Sequence, residues 1–140
     1  MTQKPVAVAA AIIKRGDLIL IAQRKKDSWL EPNKWEFPGG KIEQSEHPED
    51  CLVREIKEEL DLDISIKELF TVHSHTYHKE GKEYPVQLYI YLADWNQGQI
   101  KNLDCQDSRW VSVDQLTNYE FVEADTHVLH QLTTRLKTLG

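Results

Sequence analysis

The segment that most constrains this chain is residues 39–62, GGKIEQSEHPEDCLVREIKEELDL. It opens with a glycine pair and continues into a run in which nothing breaks a helix. His47 is placed to cap that helix, Pro48 suits its first position, and acidic residues occupy the first turn. The apolar residues of one face recur at helical spacing: Leu52, Val53, Ile56 and Leu60. The segment therefore predicts a glycine turn followed by an amphipathic helix.

A neighbouring face of this helix carries Glu55, Glu58 and Glu59, spaced i, i+3 and i+4, so their carboxylates lie next to one another. Each like-charged pair at this spacing costs about 0.2–0.5 kcal/mol on an exposed helix. Such triples also occur on ordinary solvated faces. A divalent cation such as Mg²⁺ removes the repulsion, since it prefers oxygen ligands and phosphate. The preceding glycine pair, which allows backbone to approach an ion or a phosphate closely, favours a metal site.

The spacing of these residues resembles the Nudix box, the sequence motif of the Nudix hydrolases. The pattern is matched in order by Gly40, Glu46, Arg54, Glu55, Ile56, Glu58, Glu59 and Leu62. Asp61 stands where the box has a glycine, which normally ends the helix in a left-handed conformation. Asp tolerates that conformation at a modest cost. The replacement therefore affects the expected geometry of the helix end and not the expected metal site.

The similarity extends beyond the box to the MutT-like subgroup, over nearly the full length. WEFPGGKIE at residues 35–43 looks like the entry to the box in that subgroup, and residues 110–111, Leu116 and residues 121–125 also fit. The resemblance implies the Nudix fold, an α/β/α sandwich with a mixed sheet between helices. It also implies hydrolysis of nucleoside triphosphates to a monophosphate and pyrophosphate with Mg²⁺, for which Mn²⁺ could substitute.

The resemblance further implies roles for individual residues. The implied metal ligands are the Gly39 carbonyl, Glu55, Glu58, Glu59 and Asp104. Arg54 would orient Glu55 and pair with Glu46. The general base would be Glu55 or Asp104, because family members differ in which carboxylate serves.

Four residues are expected in a base pocket: Arg24, Phe37, Tyr77 and Asp125. A guanidinium such as that of Arg24 suits phosphate or a base oxygen, the alternative being a solvated strand end. Phe37 is either core or a wall for the base. Asp125 either reads the base or belongs to the first turn of a helix, where Asp is favoured. As a carboxylate it would accept hydrogen bonds, which favours cytosine or guanine, including 8-oxoguanine.

The remaining pattern predicts the sheet and a second helix. Strands are predicted at residues 5–14, 18–23, 64–77, 84–95 and 110–111, with turns at residues 15–17 and 79–82. A helix is predicted at residues 123–139, and its apolar residues are Val128, Leu129, Leu132, Leu136 and Leu139. Strands and helices that do not alternate strictly indicate a mixed sheet covered by helices.

Two aromatic or histidine-rich features have open interpretations. Trp29 in the loop over residues 27–34 is either a lid over a ligand or an anchor for the loop. His73, His75 and His78 suggest zinc, but their irregular spacing favours polar residues on a strand face.

Length and composition limit the class of protein. The chain has 140 residues, and we expect a single domain over residues 1–140. A net charge of −6 argues against a nucleic-acid-binding surface. The apolar run at residues 6–13 is too short to span a membrane, and the cysteines do not demand an oxidising compartment. We therefore expect a cytoplasmic protein without a membrane or nucleic-acid partner, either monomeric or homodimeric.

The leading hypothesis is a Mg²⁺-dependent nucleoside triphosphate pyrophosphohydrolase that serves nucleotide-pool sanitisation and thereby DNA repair. Its substrate would be 8-oxo-dGTP or a cytosine nucleotide such as CTP or 5-methyl-dCTP. One alternative is a Nudix hydrolase of another nucleoside diphosphate derivative, which the short chain disfavours. The other is a nucleotide-sensing domain without catalysis, which the intact box glutamates disfavour.

Overall fold

The computed structural model describes the backbone of residues 4–139 and the side chains of residues 4–135, so the predicted apolar contacts of Leu136 and Leu139 lie outside the described residues. Within this part of the chain the elements are β1 (Val6–Arg15), β2 (Leu18–Gln23), β3 (Trp35–Glu36), β4 (Gly39–Lys41), α1 (Pro48–Leu60), β5 (Asp63–Lys79), β6 (Lys82–Gln97), β7 (Asp107–Ser112), a 3-10 helix (Val113–Asn118) and α2 (Glu123–Leu139).

The predicted strands and helices are all present, with different lengths for some of them. The strands predicted at residues 64–77 and 84–95 extend further and form one long hairpin, β5–β6. Its turn uses Glu80 and Gly81, both at positive φ (53° and 75°), which matches the twist of a tight hairpin. The short strand predicted at residues 110–111 is the centre of β7. The very short strands β3 and β4 were not predicted, and the glycine turn predicted at Gly39 and Gly40 is wrong, because both residues are paired with β1 in β4.

The strands form one mixed sheet. Along residues 4–139 the main order is β3-β2-β1-β6-β5, with β4 paired to β1 and β7 paired to β2. β1 runs parallel to β6 and antiparallel to β2 and β4. β1 pairs with β2 only at Lys14–Ile19 and Arg15–Leu18, whereas β4 pairs with β1 at Val8–Ala10. β1 and β2 therefore separate along most of their length, and a cavity lies at that separation.

Each face of the sheet is covered by a helix, which is the predicted α/β/α sandwich. Ile12 belongs to the core cluster that contains Val128 and Leu132 of α2. Its neighbour Ile13 belongs to the cluster on the other face, with Leu52 of α1. Side chains alternate between faces along a strand, so the continuous apolar sequence of β1 is explained by burial on both sides. Within the described residues, no helix is both long and apolar enough to cross a membrane.

Candidate active site

α1 is the predicted amphipathic helix. It begins at Pro48, after His47 in the capping position, and Leu52, Ile56 and Leu60 are buried against the sheet. Val53, which was assigned to the same apolar face, is instead 44% exposed. Neighbouring residues are about 100° apart on a helix, so Val53 points away from the face on which Leu52 packs.

Asp61 occupies the left-handed conformation that the box glycine normally provides. Its φ and ψ are 58° and 37°, and its N–H donates to the Lys57 carbonyl at 3.0 Å. The carboxylate lies 3.3 Å from Lys57 Nζ and 3.2 Å from Lys101 Nζ. The helix therefore ends as the box requires, and the replacement leaves the carboxylates upstream in place.

Arg54 organises the acidic side chains of α1. It makes two hydrogen bonds to Glu46, at 2.8 and 3.0 Å, and one to Glu55 at 2.9 Å, as predicted. A further bond reaches Glu58 at 3.2 Å. The bonds from Arg54 hold the pKa of Glu46 down at about 2. The Arg54 guanidinium therefore orients the Glu55 carboxylate, and its two hydrogen bonds to Glu46 hold the guanidinium itself in place.

Glu55 and Glu59 form a close carboxyl pair. Burial raises the pKa of Glu59 strongly, and the hydrogen bond and charge of Glu55 raise it further. Glycine at position 40 makes room for the pair, because a Cβ there would lie 2.6 Å from Glu55 Oε2. We call Glu55, Glu58 and Glu59, together with Arg54, the carboxylate site.

The oxygen donors of the carboxylate site fit a hard divalent cation, which prefers oxygen ligands and would offset the repulsion between neighbouring carboxyl groups. As placed, no three acidic, histidine or cysteine side chains within the described residues are arranged to chelate an ion. Glu58 is directed to Arg54, and Asp104 Oδ1 lies 3.3 Å from Lys25 Nζ. Glu55 and Glu59 are thus brought together, whereas Glu58 and Asp104 would have to turn to join them.

A cavity of about 430 Å³ lies beside the carboxylate site. Its lining includes all four residues of the predicted base pocket and three of the predicted metal ligands: Arg24, Phe37, Tyr77, Asp125, Gly39, Glu59 and Asp104. The fold therefore joins the two predicted groups at one surface, although they come from distant parts of the sequence.

Asp125 is in the first turn of α2, but its side chain lines the cavity and is only 3% exposed. Its Oδ2 accepts a hydrogen bond from the Phe37 N–H at 3.0 Å. Burial raises its pKa to about 8, and the charges of Glu36 and Glu31 add to this effect. The raised pKa favours a protonated Asp125 at neutral pH, and a protonated carboxyl can both donate and accept, whereas a carboxylate was expected to accept only.

Phe37 is a core residue, and it also lies where a wall for a base was expected. Its side chain is 3% exposed and packs in the core at 5.4 Å from the Phe121 ring, yet it also lines the cavity. Tyr77 lines the cavity as well, and burial raises the pKa of its hydroxyl. Phe37 is buried and Tyr77 is half-buried, and two such aromatic rings suit a wall for a planar base.

Glu36 is a cavity residue that sequence reasoning missed. Its Oε1 lies 3.1 Å from Arg24 Nη1, and burial raises its pKa against the effect of that guanidinium. Arg24 Nε has no hydrogen-bond partner among the described residues and is buried. The available signal was a single acid between the buried aromatics Trp35 and Phe37, directly before the glycine pair.

Trp29 and the histidines of β5 had open interpretations, and the structure shows what each of them contacts. The Trp29 ring is 49% exposed and meets Tyr84 edge-on at 4.9 Å, so it anchors the loop to the β5–β6 hairpin. The rings of His73 and His127 lie 4.7 Å apart, and His75 Nε2 lies 3.1 Å from Glu123. These histidines therefore contact side chains of α2 from the face of β5.

Comparisons with known proteins agree with the geometry. Residues 3–132 match the NUDIX domain model. CTP pyrophosphohydrolase of Escherichia coli (strain K12) is 34% identical over 130 residues, covering 90% of each chain. An 8-oxo-dGTP diphosphatase of Buchnera aphidicola subsp. Schizaphis graminum is 30% identical over 125 residues, covering 89% of this chain and 90% of the relative.

A solved structure extends the agreement to the fold. The MutT NUDIX hydrolase from Burkholderia pseudomallei superposes with a TM-score of 0.80 at 27% identity, covering 93% of this chain and 99% of that one. The domain match spans most of this sequence, and the two relatives match about nine tenths of it. The chain therefore belongs to the Nudix family and is a hydrolase that acts on phosphoanhydride bonds.

Proposed function

We propose that this enzyme hydrolyses a nucleoside triphosphate to a monophosphate and pyrophosphate, with Mg²⁺ or Mn²⁺ as cofactor. The proposed substrate is 8-oxo-dGTP or a cytosine nucleotide such as CTP or 5-methyl-dCTP. The observation that carries this proposal is a single cavity lined both by Glu59 and Asp104 and by Phe37, Tyr77 and Asp125. The relatives named for 8-oxo-dGTP and CTP support the same two substrate classes.

The carboxylate site would hold the phosphate end of the substrate through a cation. The residues proposed to hold it are the Gly39 carbonyl, Glu55, Glu58, Glu59 and Asp104, of which Glu58 and Asp104 would first turn away from Arg54 and Lys25. A divalent cation there would neutralise the triphosphate charge and lower the pKa of a bound water. Glu55 or Asp104 would take the proton from the attacking water. Arg54 would keep the Glu55 carboxylate in position, as its 2.9 Å contact supports.

The base pocket would hold the other end of the substrate. Phe37 and Tyr77 would bound the plane of the base, and Arg24 would reach a base oxygen or a phosphate. Phe37 N–H occupies Asp125 Oδ2, so Oδ1 is left to meet the base edge. A protonated Asp125 can donate to a ring nitrogen or a carbonyl and accept from an exocyclic amine. Cytosine and guanine both offer such pairs on one edge.

The test is pyrophosphate release with Mg²⁺ across the ordinary nucleoside triphosphates, 8-oxo-dGTP and 5-methyl-dCTP. The expected products are a monophosphate and pyrophosphate, with strong preference for one base. The protein carrying Glu58→Gln, purified in parallel, controls for contaminating hydrolases. Orthophosphate as the sole product would move the attack to another phosphorus, and no release from any triphosphate would favour nucleoside diphosphate derivatives as substrates.

A further inference from the structure

The helix that carries Asp125 lacks an N-cap of its own. The first N–H groups of a helix need acceptors, which Ser, Thr, Asn or Asp side chains usually supply from the position before the first turn. Before α2 the chain reads Glu120-Phe121-Val122, and Phe121 and Val122 are buried apolar residues. The Asp125 N–H has a local backbone acceptor, the Val122 carbonyl at 3.0 Å, but a side-chain cap can come only from elsewhere in the fold.

Glu31 supplies that acceptor from the loop between β2 and β3, which we define as residues 24–34. The Glu123 N–H, at the first position of α2, donates to Glu31 Oε2 at 3.0 Å and to Oε1 at 3.3 Å. The two residues are 92 positions apart in the sequence. A carboxylate at a helix N-terminus is also favoured by the helix dipole. The β2–β3 loop thus caps α2 across the fold.

The position of Glu31 is fixed by the loop itself. Glu31 and Asn33 have φ of 46° and 66°, in the left-handed region that residues other than glycine rarely adopt. Such conformations persist where surrounding contacts hold them. Here Gln23 Nε2 donates to the Asn33 carbonyl at 2.9 Å, and Gln106 Nε2 donates to Asn33 Oδ1 at 2.6 Å. The contacts of Asn33 therefore hold the loop backbone two residues after Glu31, and the Glu31 carboxylate is held by the Glu123 N–H.

The cap lies next to the base pocket. Asp125 is two residues after the capped Glu123, and its Oδ2 receives the Phe37 N–H. Ser28 and Leu30 of the β2–β3 loop line the same cavity as Asp125. The contact between Glu31 and Glu123 consequently ties one wall of the cavity to the helix that carries the carboxyl group.

We propose that Glu31 is a positioning residue for base recognition, which holds the Asp125 carboxyl and the loop wall of the cavity in one arrangement by capping α2. The proposal rests on the proposed function of Asp125 in binding the base. Glu31 acts through Asp125 and does not itself touch the substrate. Loss of the cap loosens the first turn of α2 and, with it, the direction of the Asp125 carboxyl.

The kinetic test uses three variants. Glu31→Ala removes the cap, Glu31→Gln keeps an amide oxygen that accepts from Glu123 N–H, and Glu120→Ala is the control. Glu120 also contacts this loop, at 3.6 Å from Lys34 Nζ, but its side chain is 80% exposed. We expect Glu31→Ala to raise KM about five-fold, as for a typical lost helix cap. The enzyme should also discriminate less between bases, while kcat changes little. Glu31→Gln should recover most of this loss, and Glu120→Ala should match the wild type.

A second readout is independent of turnover. The ¹H shift of the Phe37 amide in the unliganded protein reports on its hydrogen bond to Asp125. We expect it to move in Glu31→Ala and to stay near the wild-type value in Glu31→Gln and Glu120→Ala. A lower Tm for Glu31→Ala with unchanged KM, base preference and Phe37 shift would overturn the proposal, because the cap would then be only structural. If the wild type cleaves no triphosphate, the proposed function fails and the Phe37 shift alone decides the role of Glu31.

Discussion

The carboxylate site and the proposed base pocket adjoin one cavity, which Glu59 of the first and all four residues of the second line, but the two groups are assembled from the sequence in different ways. In the carboxylate site, Arg54 contacts Glu46, Glu55 and Glu58, all at most eight residues away. In the base pocket, the bond between Phe37 and Asp125 spans 88 residues. Local helical spacing therefore fixes the first group, whereas the second exists only once the sheet and α2 have packed.

The two groups also differ in the surroundings of their carboxyl groups. In the carboxylate site, Arg54 contacts Glu55 and Glu58, and 60% of the Glu58 side chain is exposed, although burial raises the pKa of Glu59 there as well. Asp125 is nearly fully buried, and burial raises its pKa to about 8. One region is thus suited to bind a cation, and the other is suited to present a neutral carboxyl. Variants that act on only one of these properties separate the two roles.

The largest expected effect is at the carboxylate site, from Glu58→Gln. Removing one charged ligand should lower kcat at least about 100-fold, since metal stabilisation of the transition state is worth several kcal/mol. Pyrophosphate release measures the rate, and Mn²⁺ titration followed by EPR measures cation binding. Glu49→Gln, at an exposed position in the first turn of α1, is the matched control. Near-wild-type kinetics in Glu58→Gln would remove this residue from the metal site.

A smaller effect is expected from Gly40→Ala, which changes geometry and leaves every charge in place. The added Cβ would lie 2.6 Å from Glu55 Oε2, so the carboxylate must shift. Because small misplacements of reacting groups are costly, we expect kcat to fall between about 10- and 100-fold. Gln44→Ala, in the exposed connection before α1, serves as control. If kcat is retained, Glu55 does not need its place against Gly40 for catalysis.

The contrast between the regions explains what sequence reasoning could reach. The box spacing located α1, the clamp on Glu55 and the helix end at Asp61, because each depends on residues within a few turns. β3 and β4 are two and three residues long. They were missed because pairing with β2 and β1, not local propensity, makes them strands.

The raised pKa of Asp125 could not be predicted from the sequence for a related reason. Position 125 could be assigned to the base pocket through the family resemblance alone. Its neutral form depends on burial and on Glu36 and Glu31, which are separated from it by about 90 residues. The same holds for the cap that Glu31 provides, since neither residue of that contact has a local pattern that predicts its partner.

The third prediction concerns the base pocket and its pH dependence. At pH values between the ordinary Asp pKa and about 8, we expect Asp125 to be protonated in the folded protein, because burial raises its pKa to about 8. It should ionise as the pH rises through that value. From pH 7 to 9 we expect the wild-type KM to rise by roughly ten-fold, which is the change in the protonated fraction one unit above the pKa. Asp125→Asn, which cannot ionise, should lack this rise.

The readout of that experiment is the ratio of the two KM values at each pH, because Glu36, Glu59 and the substrate titrate in both proteins. Arg24 and Tyr77 also face Asp125 and are common to both. The same pair tests stability. Because the pKa of Asp125 is raised in the folded protein, its stabilisation of the fold is complete below the ordinary Asp pKa and is lost as pH rises to about 8. Over that pH range Asp125→Asn should therefore gain in Tm relative to the wild type. A constant KM ratio would mean that Asp125 does not meet the base as a neutral donor.

The smallest effect is expected from Asp61→Gly, which restores the box and tests whether its departure matters to the carboxylate site. Glycine relieves the left-handed backbone at φ 58°, while the contacts with Lys57 and Lys101 are lost. Exposed ion pairs contribute little, so Tm should rise slightly and kcat and KM should stay within about two-fold.

The effect of this substitution on stability should depend on pH. The hydrogen bonds from Lys101 and Lys57 lower the pKa of Asp61, and their stabilisation disappears as pH falls through that lowered value. The advantage of Asp61→Gly should therefore be greatest in acid. A lower Tm at neutral pH would show that the ion pairs outweigh the strain, and a change in kcat would link the helix end to the catalytic carboxylates.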